Sequence, residues 1–211
     1  MDTRDLIAVL DDALRQLADA ADELRDLDAA LGDGDLGVTV RSGSEAVRAA
    51  LADLGEDATL AAVLRAAAKA FANANPSTMA ALVGGALLAA AKAVPDATEI
   101  GPDTALVVAR AAADSIAARG KAQLGDKTIL DALVPSIDAM AAAAPDALGM
   151  LSAGVQAARD GVESTRDRQS MRGRAAWLGE RSIGRQDPGA TAYLRFLEGL
   201  QRALGDREAA A

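Results

Sequence analysis

An all-α fold is predicted by three features of the sequence: apolar residues recur at helical spacing along most of its length, alanine is abundant, and no stretch reads convincingly as a strand. Hydrophobic residues make up 51% of the 211 but aromatic residues only 2%. The interior must therefore be filled mainly by Ala, Leu, Val and Ile, from helices that approach one another closely. The length suits one domain with a sizeable core, spanning 1–211. The expected architecture is an eight-helix antiparallel up-and-down bundle or closed helical barrel.

The elements follow in order. Leu6, Leu10, Leu14, Leu17, Ala21 and Leu24 mark an amphipathic first helix that ends near a glycine-rich loop. Comparable patterns predict helices over 38–54, 59–73, 77–94, 103–119, 128–143, 146–163 and 189–204, separated by short Gly, Pro, Asp or Asn punctuation. Thr128 with Asp131 resembles a capping box with the shorter acid in place of Glu, and Asp187 with Pro188 reads as N-cap then first helical residue. The apolar run from Met79 to Ala91 is shorter than the roughly 20 residues of a membrane span, so a buried helix is expected. The exception to the helical rhythm is STRDRQSMRGRAAWLGERSIGRQDPG (164–189), long, basic and glycine-rich. Long irregular segments inside compact domains are usually functional or disordered.

Composition excludes several functions. A net charge of −9 argues against a broad surface for nucleic acid or an anionic membrane. Without cysteine there are no disulfides and no thiolate metal sites. Without histidine there is no imidazole acid–base catalysis, no phosphohistidine relay and no imidazole ligand. The N-terminus lacks the apolar core of a signal peptide, so a cytoplasmic location is expected. Any chemistry must come from carboxylates, hydroxyls, Lys, Arg and backbone groups.

The loop LDAALGDGDLG (27–37) concentrates that chemistry. Gly32, Gly34 and Gly37 spell a dinucleotide fingerprint, but a helix precedes them where that motif needs a strand. A calcium loop starting at Asp33 fails as well, because its sixth and twelfth positions hold Val38 and Ser44. On a continuous helix Asp28 and Asp33 would point about 140° apart at ~100° per residue, so a turn at Gly32 and Gly34 is needed to bring them together. Three converging carboxylates repel unless a cation sits among them, and hard oxygen ligands favour Mg²⁺ or Ca²⁺. On spacing alone, an acidic helix-end turn that binds nothing stands equally open.

Two further stretches, RGKAQLGDKTILDAL (119–133) and ESTRDRQSMRGRAAWLGERSIGRQDPGA (163–190), follow the acidic loop. In this order and at these separations, the three closely resemble the nucleotide-binding L subunit of dihydroxyacetone kinases, which is also the C-terminal domain of the single-chain enzymes. The resemblance covers nearly the whole chain. It implies an eight-helix antiparallel barrel that binds ADP or ATP at one end through two Mg²⁺ ions, with Asp28, Asp33 and Asp35 as metal ligands. Three carboxylates and two divalent ions leave a net positive charge facing the phosphates.

By the same resemblance Leu36, Gly37, Val38 and Thr39 follow the phosphates, and Ser77 and Thr78 cap a helix and reach phosphate. Gly120 and Ile129 border the base or ribose, Arg174 is the catalytic cation at the nucleotide, and Asp187, Pro188 and Gly189 close over it. On the residues alone, Arg174 and Arg181 read as solvated loop arginines, and Lys127 and Thr128 as the start of a helix. Trp177 invites stacking on adenine, but the expected role is an anchor packing the long segment onto the barrel. Two positions depart from the family: Leu36 stands where a His or Cys is frequent, and Pro76 stiffens a turn that is usually Gly- and Ser-rich. The second leaves the ketose open, a tetrulose included.

The implied activity is phosphoryl transfer to dihydroxyacetone or a related short ketose. The family's substrate subunit holds its ketone through a histidine, so a separate substrate-binding kinase subunit is expected, without which this chain is inactive. In one branch ADP stays bound and is recharged by a phosphotransferase-system phosphoryl donor protein; in the other ATP exchanges. A non-enzymatic nucleotide-binding regulatory partner is the alternative.

Overall fold

The computed structural model describes residues 1–55 and 57–210, and it is helical throughout. Nine α-helices are described: α1 (Thr3–Asp19), α2 (Ala21–Ala29), α3 (Leu36–Ala52), α4 (Leu60–Ala74), α5 (Thr78–Ala93), α6 (Pro102–Gly120), α7 (Leu130–Ala142), α8 (Ala147–Ser164) and α9 (Pro188–Ala210). A 3-10 stretch, Arg174–Ser182, broken by a kink at Gly179 (φ +57°, ψ −132°), lies inside the long basic segment. Among the described residues the only extended pairing is an isolated bridge between Asp2 and Glu99.

The count differs from eight because the predicted first helix breaks at Ala20, where ψ is 0°. No glycine or proline marks the break. It turns α2 onto α3, where a Cβ on Gly37 would stand 2.2 Å from the Ala21 carbonyl oxygen. Only glycine permits that approach, and it fixes the acidic loop between the two helices.

The helix starts have local causes. Asp2, Thr59, Ser77 and Asp146 each accept a hydrogen bond from an N–H in the first turn of α1, α4, α5 and α8. Pro102 opens α6, and Lys121 ends it in the left-handed conformation. At α9 the expected cap is present: Ala190 N–H donates to Asp187 Oδ1 at 2.7 Å, with Pro188 first in the helix.

From α3 to α9 each helix packs on the next, and α1 lies against both α3 and α9, so the sequence of neighbours closes on itself. The interior follows the composition. Ala13, Ala61, Ala68, Ala80, Ala90, Ala132, Ala158 and Ala190 are almost wholly buried, interleaved with Leu24, Val40, Leu60, Val63 and Ile137. Small side chains at the crossings let the helices come close without aromatic filler. Among the described residues no helix is long and apolar enough to cross a membrane.

Candidate functional site

The acidic loop turns as its glycines require. Gly32 N–H donates to the Asp28 carbonyl at 2.6 Å, and Gly34 takes φ +76°, a conformation that costs glycine little. Leu36 N–H, the first of α3, donates to Asp28 Oδ2 at 3.1 Å. One carboxylate oxygen from each of Asp28, Asp33 and Asp35 then lies within 4.8 Å of the others. The convergence that the spacing needed is achieved. Burial raises the Asp28 carboxyl above its ordinary range; the Leu36 N–H opposes this, and the charges of Asp35 and Asp33 add to it. Three carboxylates so placed are hard oxygen donors suited to Mg²⁺.

The cation that meets them here is Arg174. Its guanidinium pairs with Asp33 and lies 3.7 Å from Asp35 Oδ2. On residues alone it read as solvated, but it crosses from the first turn of the 3-10 helix to the acidic loop. Arg181, at the far end of that helix, is exposed.

These groups line one side of a cavity of about 670 Å³. Of the sequence-predicted residues, Asp28, Asp33, Asp35, Leu36, Thr78, Gly120, Ile129, Arg174, Asp187, Pro188 and Gly189 all face it. Met79, Leu82, Val83 and Ile116 give it an apolar wall. Four predicted residues are not in its lining. Gly37 is packed against α2, and Val38 is 57% exposed elsewhere. The buried Thr39 hydroxyl accepts from Asn75 Nδ2 at 2.9 Å and donates to Ser77 Oγ at 3.5 Å, while Ser77 caps α5.

Asp187 combines its cap with a perturbed carboxyl. Its burial pushes the pKa up to about 7, against the Ala190 N–H and the charge of Lys127, which favour ionisation. Its own N–H donates to Thr165 Oγ1 at 2.8 Å, tying the end of α8 to the start of α9.

Trp177 corrects an expectation. It is 84% exposed at the cavity rim, so it does not anchor the basic segment. Lys127 does: only 2% exposed, it donates from Nζ to the carbonyls of Arg168, Ser182 and Arg185 at 3.1, 2.6 and 2.6 Å. Thr128 behaves as expected, its N–H donating to Asp131 Oδ2 at 2.8 Å. Asp131 also accepts from Gly125 N–H and from Arg168, both at 2.7 Å, which fixes the GDKT turn.

Arg119 was not foreseen either. Its guanidinium lies over Gly85, where a Cβ would come within 2.6 Å of Nε, and it faces the cavity. The only trace in the sequence was the pairing of a small residue on one apolar helix with an arginine ending the next.

The DAK2 domain profile matches residues 30–202. L-erythrulose 1-kinase of Mycolicibacterium smegmatis is 37% identical over 205 residues, covering 96% of this chain and 35% of that protein. The ADP-binding subunit DhaL of the PEP-dependent dihydroxyacetone kinase of Escherichia coli is 31% identical over 183 residues, 85% of this chain and 87% of its own length. The chain thus spans about a third of the erythrulose kinases it matches but most of the DhaL subunit. In fold it is similar to the dihydroxyacetone kinase of C. freundii solved in complex with AMP-PNP and Mg²⁺, with a TM-score of 0.74 at 22% identity, covering 93% of this chain and 33% of that one.

Proposed function

The chain belongs to the DAK2 domain family, and from that premise we propose that it is the nucleotide-binding unit of a kinase for short ketoses, a single domain acting with a separate substrate-binding subunit. The observation that carries the reading is the convergence of Asp28, Asp33 and Asp35 at a cavity that also holds Arg174 and the start of α9. Relatives named as ADP-binding subunits of dihydroxyacetone kinase and as erythrulose kinases support both the nucleotide and the substrate class. Dihydroxyacetone and erythrulose are therefore the substrates to test.

Asp28, Asp33 and Asp35 would hold Mg²⁺, two ions in this reading, and the convergence of their carboxylates supports a metal site there. When bound, Mg²⁺ would neutralise phosphate charge and orient the terminal phosphoryl group. The rest falls to the protein's own groups. The apolar wall of Met79, Leu82 and Ile116 accepts a base, with Gly120 and Ile129 beside it. The N-terminal end of α9, at Pro188 and Gly189, faces the cavity with a positive dipole and suits phosphate oxygens. Arg174 moves from Asp33 to the transferring phosphoryl group, where its charge lowers the barrier. Thr39 and Ser77, hydrogen-bonded to each other, support the turn beside Thr78, and Gly37 and Val38 carry the backbone of the first turn of α3.

Nothing in the chain can replace the histidine that the partner subunit contributes in this family, since histidine is absent. The experiment is phosphorylation of dihydroxyacetone and erythrulose with a purified substrate-binding subunit, with ATP and with a phosphotransferase-system donor on ADP-loaded protein. Product is expected only with both subunits present. Product from this chain alone, or from no combination of subunit and donor, contradicts the reading.

A further inference from the structure

The segment between α8 and α9 has little apolar surface to hold it in place: Met171, Trp177 and Ile183 are 55%, 84% and 46% exposed. Its shape must come from polar ties. Its outgoing and returning limbs are joined by Gly184 N–H to the Arg166 carbonyl at 2.8 Å and by Ser170 N–H to Ser182 Oγ at 2.9 Å. Those bonds hold the limbs to each other.

Lys127 holds both limbs to the turn before α7. The residue adopts φ +60°, unusual for a side chain of its size, and this left-handed turn directs it inward. Its ammonium donates to Arg168 O on the outgoing limb and to Ser182 O and Arg185 O on the returning limb. All three ammonium hydrogens are thereby used. Among the described residues no carboxylate lies within ion-pair distance of it, so burial of the charge is offset chiefly by carbonyl dipoles, with the Asp187 carboxyl acting from farther away. A methionine could be buried there without desolvating a charge, but it could not draw three carbonyls to one point. Asp126 and Asp131 flank the clasp, binding Arg172 Nε and Arg168 at 2.7 Å each.

We propose that Lys127 is a positioning residue of the site: its ammonium clasps the two limbs of the 168–185 segment and so presents Arg174 to the acidic loop. Lys127 also lines the cavity, so the clasp and the site share one wall. The inference rests on the nucleotide reading only in its affinity arm, because closure of the segment can be followed without nucleotide.

The test compares wild type with Lys127→Met and Lys127→Ala under trypsin at pH 8, where Arg172, Arg174, Arg181 and Arg185 offer cleavage sites within the segment. Both variants are expected to be nicked there about tenfold faster or more, the consequence of losing charge-assisted bonds, with far-UV CD unchanged and helical sites cut later. Ethylammonium is expected to restore protection to Lys127→Ala, whereas ethanol, similar in size but uncharged, does not. Calorimetry is expected to show ADP·Mg²⁺ affinity falling in step with nicking and recovering with ethylammonium. Should Lys127→Met not fold, Lys127→Gln, which keeps two N–H donors without the charge, replaces it. Nicking at the wild-type rate, nicking spread over the whole chain, or equal rescue by ethanol would overturn the clasp. Unaltered ADP·Mg²⁺ affinity in a nicking-prone variant would overturn its positioning role. If wild type itself binds no ADP while segment nicking follows the expected pattern, the nucleotide reading fails and the clasp stands.

Discussion

Replacing Asp187 by Asn isolates the energetic cost of the carboxyl at the start of α9. The native carboxyl is raised from 3.8 to about 7, chiefly by burial. Between those values the folded chain keeps a proton that the unfolded chain has released, so stability falls as pH rises across that window. At 1.36 kcal/mol per pH unit the full shift corresponds to on the order of 4 kcal/mol. Because the side chain faces an open cavity, solvent screening brings the realised cost to about 2 kcal/mol. Asparagine cannot ionise, yet its Oδ1 can still accept the Ala190 N–H that now donates at 2.7 Å. Urea unfolding of both proteins from pH 3 to 8.5 is the assay. The variant is expected to match wild type near pH 3, below the unfolded value of 3.8, and to exceed it by about 2 kcal/mol at pH 8, or roughly 4–8 °C in Tm. Groups that titrate alike in both proteins cancel in the difference. Parallel pH profiles, or a variant less stable than wild type at pH 8, would refute the reasoning.

Other substitutions probe the remaining parts. Arg174→Ala removes the guanidinium from Asp33 and Asp35; since the pair is half exposed, calorimetry with Mg²⁺ alone should show binding tightened by up to about fivefold. The same variant should lose about 100-fold or more in phosphoryl transfer, and weaker Mg²⁺ binding would contradict the placement. Gly37→Ala puts a methyl group 2.2 Å from the Ala21 carbonyl oxygen and should cost about 1–3 kcal/mol by urea unfolding; an unchanged midpoint would show that α2 and α3 are free to part. Trp177→Ala should change stability by less than about 0.5 kcal/mol in a thermal melt, because the ring lies on the rim. A loss of 2 kcal/mol would restore the anchoring role.

How much of this was legible in the sequence differs by feature. Helical periodicity located seven later helices within about two residues at almost every end, because their apolar faces are continuous and their starts carry Thr59, Ser77, Asp146 and Asp187 as caps. The turn at Gly32 and Gly34 was readable from its glycines, but on spacing alone the convergence of Asp28, Asp33 and Asp35 stood level with an acidic turn that binds nothing, and the family resemblance favoured it. The break at Ala20 was not, since nothing local forbids a straight helix there and the cause is the contact of Ala21 with Gly37 in α3. On the residues alone Arg174 looked like one of several loop arginines; the resemblance singled it out, and the fold lays its segment beside Asp33. Lys127 was hidden for the opposite reason: a lysine in a Gly-Asp-Lys-Thr turn reads as the start of a helix, and the three carbonyls that bury it come from 41 to 58 residues away. A lone tryptophan in an apolar-poor segment suggests an anchor, but hydrogen bonds fix that segment and leave the ring outside.

The most direct test of the account is calorimetry of the purified chain with ADP and Mg²⁺, repeated with Asp33→Ala. The site described here predicts saturable binding that requires Mg²⁺ and weakens by about tenfold or more in the variant, the consequence of losing one of three converging carboxylates. No binding to wild type, or equal binding by wild type and Asp33→Ala, would contradict it.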